Sequence, residues 1–168
     1  MSVQNGTVYP YTKYREHFCQ EQGQPVAWKW ADLIDLLDAS RHTERGTLTL
    51  ATTDSASGCE LLPGVAISMQ VVKPSGSTRS HAHSWWHLFV VQTGMGTMTL
   101  SDQKAVTSLN RGDLVLVPAW CAHSIENLSM QDDLVLMSLT NLPQQAALSN
   151  LLAKEPDGQV ESTPAQAA

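Results

Sequence analysis

The sequence has few of the residues that a nucleic-acid-binding, membrane or disulfide-stabilised protein needs. Charged residues make up only 15% of the 168 residues, and 10 Lys and Arg against 16 Asp and Glu give a net charge of -6, which argues against a phosphate-binding surface. There is no apolar run near the roughly 20 residues of a membrane span, and no N-terminal secretory signal is recognisable. The 3 cysteines, Cys19, Cys59 and Cys121, are scattered and odd in number, so no disulfide framework is predicted. We expect a cytoplasmic protein without nucleic-acid or membrane partners.

Turn residues divide most of the chain into short apolar or alternating runs, a pattern that is typical of an antiparallel all-β domain. Strands are predicted at 47–51, 65–72, 84–93, 97–100, 105–109, 114–117, 123–127 and 134–139. Apolar spacing predicts one helix over 30–39, and a second is predicted over 144–153, after Pro143. The predicted organisation is an N-terminal arm and helix (1–44), a barrel (45–142), a C-terminal helix (143–155) and a disordered tail (156–168). Short strands with helices only at the ends predict a barrel or double-sheet jelly roll.

Four of the 6 histidines have a spacing that suits metal binding. His81 and His83 are two residues apart, so on a strand they point to one face, and His87 has the same parity. His123 lies on a later strand that is placed to cross beside them. Imidazoles that converge inside a barrel form a site for a divalent transition metal. The alternative for each histidine is a hydrogen-bonded core residue without a metal.

The surroundings of these histidines resemble the two motifs of the cupin superfamily. The first motif reads Gly76-STRS-His81-Ala-His83-SWW-His87-LFVVQT-Gly94. The second reads Gly112-DLVLV-Pro118-Ala-Trp120-CA-His123-SIE-Asn127. His87 stands where the superfamily usually has Glu, and Trp120 replaces its middle Gly. The resemblance implies a cupin jelly-roll barrel, also called a double-stranded β-helix, with a bound metal.

Residues 24–142 are similar, more specifically, to the N-terminal, metal-bearing cupin of the gentisate, salicylate and 1-hydroxy-2-naphthoate 1,2-dioxygenases. The supporting stretches are Pro25-VAWKWADL, Thr43-Glu-Arg45, Gln70 eleven residues before the histidine pair, and Pro118-AWCAHSIEN. Trp is also found in the second motif of that family. The resemblance implies that His81, His83 and His123 hold Fe(II). It also implies insertion of dioxygen into an aromatic ring that bears a hydroxyl and a carboxylate.

Three features depart from those dioxygenases. Their chains contain two cupins, whereas one barrel is predicted here, and their residue at the position of His87 is commonly small. Their Arg six residues after the second ligand is replaced by Phe89. A carboxylate without a bidentate Arg loses its clamp, so a less polar phenol, enol, quinone or β-dicarbonyl fits better. We expect His87 to be a fourth metal ligand; the alternative is a hydrogen bond to a ligand or to the substrate.

Strand parity assigns further side chains to a substrate pocket. Trp85 and Phe89 share the inner face with the histidines. On the strand 65–72 the small set is assigned to the cavity, and it comprises Ala66, Ser68 and Gln70. Gln70 is expected to hydrogen-bond the substrate, with backbone hydrogen bonding as the alternative. Cys121 shares the parity of His123 and is a candidate pocket residue, or else a small core residue. Arg45 and Arg79 are candidate pocket cations, with surface solvation as the alternative.

The opposite face of the metal-binding strand carries Trp86, Leu88 and Val90. A strand that is apolar on both sides must be covered on both, by the N-terminal helix or by a second subunit, and we expect a homodimer.

The leading functional hypothesis is a mononuclear non-haem Fe(II) dioxygenase that uses O2 to cleave a carbon–carbon bond in an aromatic or enolised small molecule. Mn, Ni, Zn and Cu are the alternative metals. The alternative functions are a non-redox isomerase, lyase or hydrolase, and a non-catalytic small-molecule-binding cupin.

Overall fold

Short antiparallel strands account for most of the regular structure in the computed structural model, which describes residues 7–20, 24–37, 47–101, 105–154 and 159–162. The strands are β1 (Thr47–Thr49), β2 (Ala66–Val72), β3 (Ala82–His83), β4 (His87–Thr93), β5 (Met95–Leu100), β6 (Ala105–Asn110), β7 (Leu114–Val117), β8 (His123–Asn127), β9 (Leu134–Thr140), β10 (Leu152–Lys154) and β11 (Val160–Ser162). The helices are α1 (Tyr11–Gln20), α2 (Trp30–Leu36) and α3 (Leu142–Ala147). Each of these described helices has 10 residues or fewer, too few to cross a bilayer.

Three antiparallel sheets form the barrel. The largest has the order β1-β2-β9-β4-β7, and the others have the orders β6-β5-β8 and β11-β10-β3. Neighbouring strands are often far apart in sequence, as where β4 lies between β9 and β7. A bridge between His81 and His123 ties the start of β3 to β8. Crossing connections between two facing antiparallel sheets define a jelly roll, so the predicted all-β jelly-roll architecture is confirmed.

The five-stranded sheet and the β6-β5-β8 sheet enclose the main hydrophobic core. Both sheets contribute to it, and its buried members are Val72, Phe89, Val91, Met98, Leu109, Val117, Ile125, Leu134 and Leu136. Asn127 is a buried polar residue beside this core, and its amide nitrogen donates to the carbonyl oxygens of Val72 and Asp132. A buried amide with its donors satisfied fixes the loop before β9.

The outer face of the five-stranded sheet is only partly covered. Leu37, just after α2, packs on Met69, Val71 and Val135 and covers part of β2 and β9. No residue of α2 itself is buried, and the described N-terminal residues do not provide the cover predicted for Trp86, Leu88 and Val90. Towards the β7 edge the same face carries half-buried Leu88 and Val90. The neighbouring Leu114 and Leu116 are 64% and 61% exposed.

Several element boundaries differ from the sequence predictions. The predicted strand 84–93 is shortened to β4, because a bend at residues 84–86 precedes it, and the short strand β3 before the bend was not predicted. The predicted helix over 144–153 is α3 alone, because Ser149 has a positive φ of 53° and the chain then extends as β10 to pair with β3. Within the predicted disordered tail, β11 pairs with β10. Helix α1 was not predicted as a separate element, and α2 is shorter than 30–39.

Three positions of the motifs, Gly94, Gly112 and Trp120, have left-handed backbone conformations. Gly94 has a φ of +83°, and a Cβ there would stand 2.6 Å from the carbonyl oxygen of Asp133, so this turn accepts only glycine without a backbone shift. Trp120, at the position where the second motif usually has glycine, has a φ of +64°. The left-handed backbone conformation at this position is therefore kept, although glycine, which adopts it without strain, has been replaced by tryptophan.

Candidate metal centre

Three buried histidines come together at one end of the barrel. Their candidate ligand atoms all lie within 4.8 Å of one another, and the set consists of His81, His83 and His123. His83 is on β3 and His123 begins β8. The backbones of His81 and His123 exchange two hydrogen bonds, with N···O distances of 3.1 Å and 2.9 Å. The pairing of the two segments thus holds these rings side by side, with centroids 4.4 Å apart.

Backbone carbonyls fix the tautomers of these three rings. The Nδ1 atoms of His81, His83 and His123 lie 3.0, 2.7 and 3.0 Å from the carbonyl oxygens of Arg79, Trp85 and Cys121, respectively. A carbonyl oxygen only accepts hydrogen bonds, so each neutral ring has its proton on Nδ1. Each Nε2 then keeps the lone pair with which imidazole binds a metal, and the carbonyl orients the ring.

His87 lies beside this set but is not one of the three. Its Nε2 is 3.1 Å from the Nε2 of His83, and its Nδ1 is 2.6 Å from the Oγ of Ser138. The indole N–H of Trp85 donates to the same Nε2 at 3.2 Å. Because an indole only donates, this Nε2 is unprotonated and the ring donates its Nδ1–H to Ser138.

The donor set fits a divalent transition metal. Two unprotonated nitrogens that face each other at 3.1 Å, those of His83 and His87, repel each other unless a positive charge lies between or beside them. Neutral imidazoles are the ligands that Fe, Mn, Ni, Cu and Zn share. These residues therefore fit the metal that the sequence motifs imply.

A cavity of about 210 Å³ opens onto the histidines. Its lining comprises Thr47, Thr49, Ser68, Gln70, Thr78, His81, His83, Trp85, His87, Phe89, His123, Ile125, Ser138, Thr140 and Leu142. Trp85 stacks on His83 with centroids 4.0 Å apart and planes at 2°, and Phe89 stacks on His87 at 4.9 Å. The aromatic side of the cavity thus also buttresses two of the imidazoles.

Of the six side chains that parity assigned to the pocket, four are in this lining, namely Ser68, Gln70, Trp85 and Phe89, whereas Ala66 is not. Cys121 is not among the described lining residues. Its side chain is half-buried against the main core, with its Sγ 3.5 Å from the Oγ of Ser101, because the chain at residue 121 has not yet entered β8. Arg79 is exposed, and Arg45 is outside the described residues.

Sequence reasoning missed most of the hydroxyl groups in the cavity. Ser138 and Thr140 lie on β9, where they continue the alternation of the buried core residues Leu134 and Leu136. Polar residues at inward positions of an otherwise apolar strand were the available signal. The hydroxyls of β1 gave no such signal, because this strand is only 3 residues long.

The C-terminal segment holds the strand that carries His83. Strand β10 is paired with β3, with Ala153 opposite His83. The Oγ of Ser84 donates to the carbonyl of Asn150 and accepts the N–H of Leu152 at 3.2 Å. On the other side, the N–H of Trp120 donates to the carbonyl of His83 at 2.7 Å. A strand of two residues has little stability of its own, so these contacts position His83 as a candidate metal ligand.

Comparison with known proteins identifies the class. The sequence model described as Cupin domain matches residues 68–140, the segment that contains both motifs and all four histidines. The chain therefore contains a cupin domain, and the resemblance found in its sequence is confirmed.

Its relatives are gentisate- and salicylate-type dioxygenases. The chain is 26% identical over 149 residues to a 1-hydroxy-2-naphthoate 1,2-dioxygenase of Nocardioides sp. (strain KP7), and this match covers 87% of the chain and 38% of the relative. It is 25% identical over 173 residues to a 5-nitrosalicylic acid 1,2-dioxygenase of Bradyrhizobium sp., covering 94% of the chain and 82% of that relative. Thus the chain spans little more than a third of the first relative and most of the second.

A solved structure supports the fold. The salicylate 1,2-dioxygenase from Pseudoaminobacter salicylatoxidans, in its adducts with gentisate, superposes with a TM-score of 0.66 at 18% identity, covering 79% of this chain and 37% of that one. At this identity the likeness concerns the fold of the barrel alone.

Proposed function

We propose that the protein is a mononuclear non-haem Fe(II) cupin dioxygenase that uses O2 to cleave a carbon–carbon bond in an aromatic or enolic small molecule. The observation that carries this proposal is the convergence of His81, His83 and His123 beside a cavity with aromatic walls. The two relatives above, both named as 1,2-dioxygenases, support it. One of them is matched over 82% of its length by a single cupin domain and its flanks.

In this proposal His81, His83 and His123 hold iron through Nε2, and His87 adds a fourth imidazole. The bound iron supplies a redox-active Lewis acid at which substrate and dioxygen meet. Six-fold coordination with three histidines leaves three positions, enough for a chelating substrate and dioxygen, whereas four histidines leave two. With His87 among the residues that would hold the metal, a substrate that offers one oxygen would suit the site better than a chelating one.

The remaining pocket residues bind and orient the substrate. The flat faces of Trp85 and Phe89 suit a planar ligand. Gln70, which is 8% exposed, offers an amide to a substrate oxygen. Ser138 accepts the Nδ1–H of His87 and so keeps its Nε2 turned towards His83. Burial of the histidines excludes bulk water, which strengthens each polar contact in the cavity.

We also propose that the protein is a cytoplasmic homodimer. The apolar outer face near Leu114 and Leu116 supports the dimer, since these side chains lie on β7, the edge strand of the sheet. The free thiols Cys59 and Cys121 favour a reducing compartment. Analytical ultracentrifugation should give a dimer at micromolar concentration that L114K/L116K converts to a folded monomer; a monomeric parent protein would contradict the dimer.

Oxygen uptake tests the proposed reaction. The full-length protein is loaded anaerobically with Fe(II) and then mixed with O2 and a panel of phenols and β-diketones. We expect consumption of one O2 per product molecule, and loss of this uptake in His123→Ala and in the Zn(II)-loaded protein. Equal turnover of the Zn(II) and Fe(II) forms without oxygen uptake would instead indicate a non-redox metal enzyme. Ligand binding without any turnover would indicate a non-catalytic binding protein.

A further inference from the structure

The lining of the cavity is mainly apolar surface, in which hydroxyl, amide and imidazole groups are set. Among the described residues that line it, none is Asp, Glu, Lys or Arg. Strands β1, β2 and β9 supply one wall, whose polar residues are Thr47, Thr49, Ser68, Gln70, Ser138 and Thr140. The described residues of this wall offer no side-chain cation to a carboxylate, which loses its bidentate clamp when no guanidinium faces it.

Several hydroxyls of the cavity are set as hydrogen-bond donors. Thr140 Oγ1 accepts the N–H of Leu142 at 3.2 Å, and Thr78 Oγ1 accepts the N–H of Ile125 at 2.9 Å. A hydroxyl that accepts such a bond still has its own hydrogen to donate. Thr49 and Ser68 lie opposite each other with their hydroxyl oxygens 3.1 Å apart. One hydroxyl therefore donates to the other, and the accepting hydroxyl can still donate its own hydrogen to a ligand.

The size of the cavity limits the ligand further. A cavity of about 150 Å³ is known to accommodate benzene, so the roughly 210 Å³ here corresponds to one substituted ring or an acyclic molecule of similar size. The stacking faces of Trp85 and Phe89 favour a flat shape, as noted above. A fused pair of rings with substituents is therefore expected to fit less well than a single ring.

We propose that this cavity selects a flat, single-ring-sized molecule that meets the metal through phenol or enol oxygens and presents neutral carbonyl oxygens, not a carboxylate, to the hydroxyl donors. The inference rests on the proposed metal-dependent function, because the histidines form one side of the same cavity. It adds the substrate class: an uncharged hydroxylated aryl ketone, hydroxyquinone or cyclic β-dicarbonyl. Thr140, beside His87 in the sheet, donates a hydrogen bond to a carbonyl oxygen of this molecule.

A matched pair of ligands tests this selectivity without turnover. The full-length protein is loaded with redox-inert Zn(II) and titrated calorimetrically with 3,4-dihydroxyacetophenone and with 3,4-dihydroxybenzoate, which share the ring and the adjacent hydroxyls and differ in a neutral ketone or a carboxylate. We expect the ketone to bind at least ~10-fold more tightly, because a neutral hydroxyl wall solvates a carboxylate poorly. Equal affinity, tighter binding of the benzoate, or failure of the ketone to bind would overturn the proposal.

Variants of Thr140 locate the donor. Thr140→Val should weaken ketone binding about 5-fold, the effect of one neutral hydrogen bond, and leave benzoate binding unchanged, whereas Thr140→Ser should bind as the parent does. Equal weakening of both ligands by Thr140→Val would overturn the assigned role.

As a size control, 2,3-dihydroxynaphthalene should bind at least ~10-fold more weakly than catechol, and equal binding would overturn the size limit. These binding measurements do not involve oxygen. A protein that prefers the ketone but consumes no oxygen would therefore refute the proposed dioxygenase reaction and leave the proposed ligand selectivity standing.

Discussion

The Nε2 atoms of His83 and His87 stand 3.1 Å apart, and neither carries a proton in the hydrogen-bonding arrangement around them. Two nitrogens bound to adjacent positions of one octahedral metal, each at about 2.1 Å, would be separated by about 3.0 Å. The observed separation therefore has the length of a coordination edge. It supports the proposal that His87 shares the ion with His83, although His87 is not part of the three-histidine set described above.

Removal of His87 should weaken metal binding without unfolding the protein. Loss of one of four imidazoles is expected to lower the affinity for Fe(II) or Co(II) by about 10- to 100-fold, by analogy with other perturbations of metal sites. Competition against a chromophoric chelator measures this, with His17→Ala, on α1, as the matched control. An unchanged affinity in His87→Ala, together with a large loss in His83→Ala, would assign His87 a hydrogen-bonding role instead.

Replacement of Trp120 by glycine should stabilise the fold. Trp120 has a φ of +64° and is 47% exposed, so its side chain has limited packing to lose, and a non-glycine residue in the left-handed region costs about 1 kcal/mol or more. Trp120→Gly is expected to raise the free energy of unfolding by about 1 kcal/mol in urea titrations, whereas Trp120→Ala should not. A lower stability of Trp120→Gly would mean that the indole contributes more than the backbone conformation costs.

The hydroxyl of Ser84 should matter for metal affinity as well as for stability. Ser84→Ala removes the bonds to Asn150 and Leu152 and should cost about 1–3 kcal/mol, because it leaves buried polar groups unpaired. Since β10 pairs with the strand of His83, we expect metal affinity at 10 °C, where both proteins are folded, to fall about 10-fold.

The control for Ser84 is Ser108→Ala on β6, an exposed serine of the same barrel. Ser84→Thr should restore metal affinity, because it keeps the hydroxyl. A Ser84→Ala protein that is destabilised but binds metal with the parent affinity would show that β10 stabilises the fold without positioning His83.

The jelly roll and the histidine cluster could be predicted because they depend on local patterns. Alternation along 65–72 assigned Ala66, Ser68 and Gln70 to the cavity; Ser68 and Gln70 are among its lining residues and Ala66 is not. Met69 and Val71, of the other set, pack beneath Leu37. The spacing of His81 and His83 required only that they lie on one face.

Features that depend on pairing between distant segments were not predicted. The strand β10 was expected to be part of a helix, since the helical tendency of 144–153 is local and its pairing with β3 is not. Likewise, parity assigned Cys121 to the pocket, but parity holds only inside a strand, and residue 121 precedes β8. The hydroxyls that complete the cavity come from β1, β2 and β9 and from Thr78, between β2 and β3, and only the folded chain brings these segments together.

The most direct test of the metal centre is an anomalous-difference map from crystals of the protein loaded anaerobically with Fe(II), recorded at the iron edge. A single peak is expected about 2.1 Å from the Nε2 atoms of His81, His83 and His123, and this peak should be absent in His123→Ala. A map without a peak among these rings, or rings whose Nε2 atoms point away from a common centre, would contradict the account.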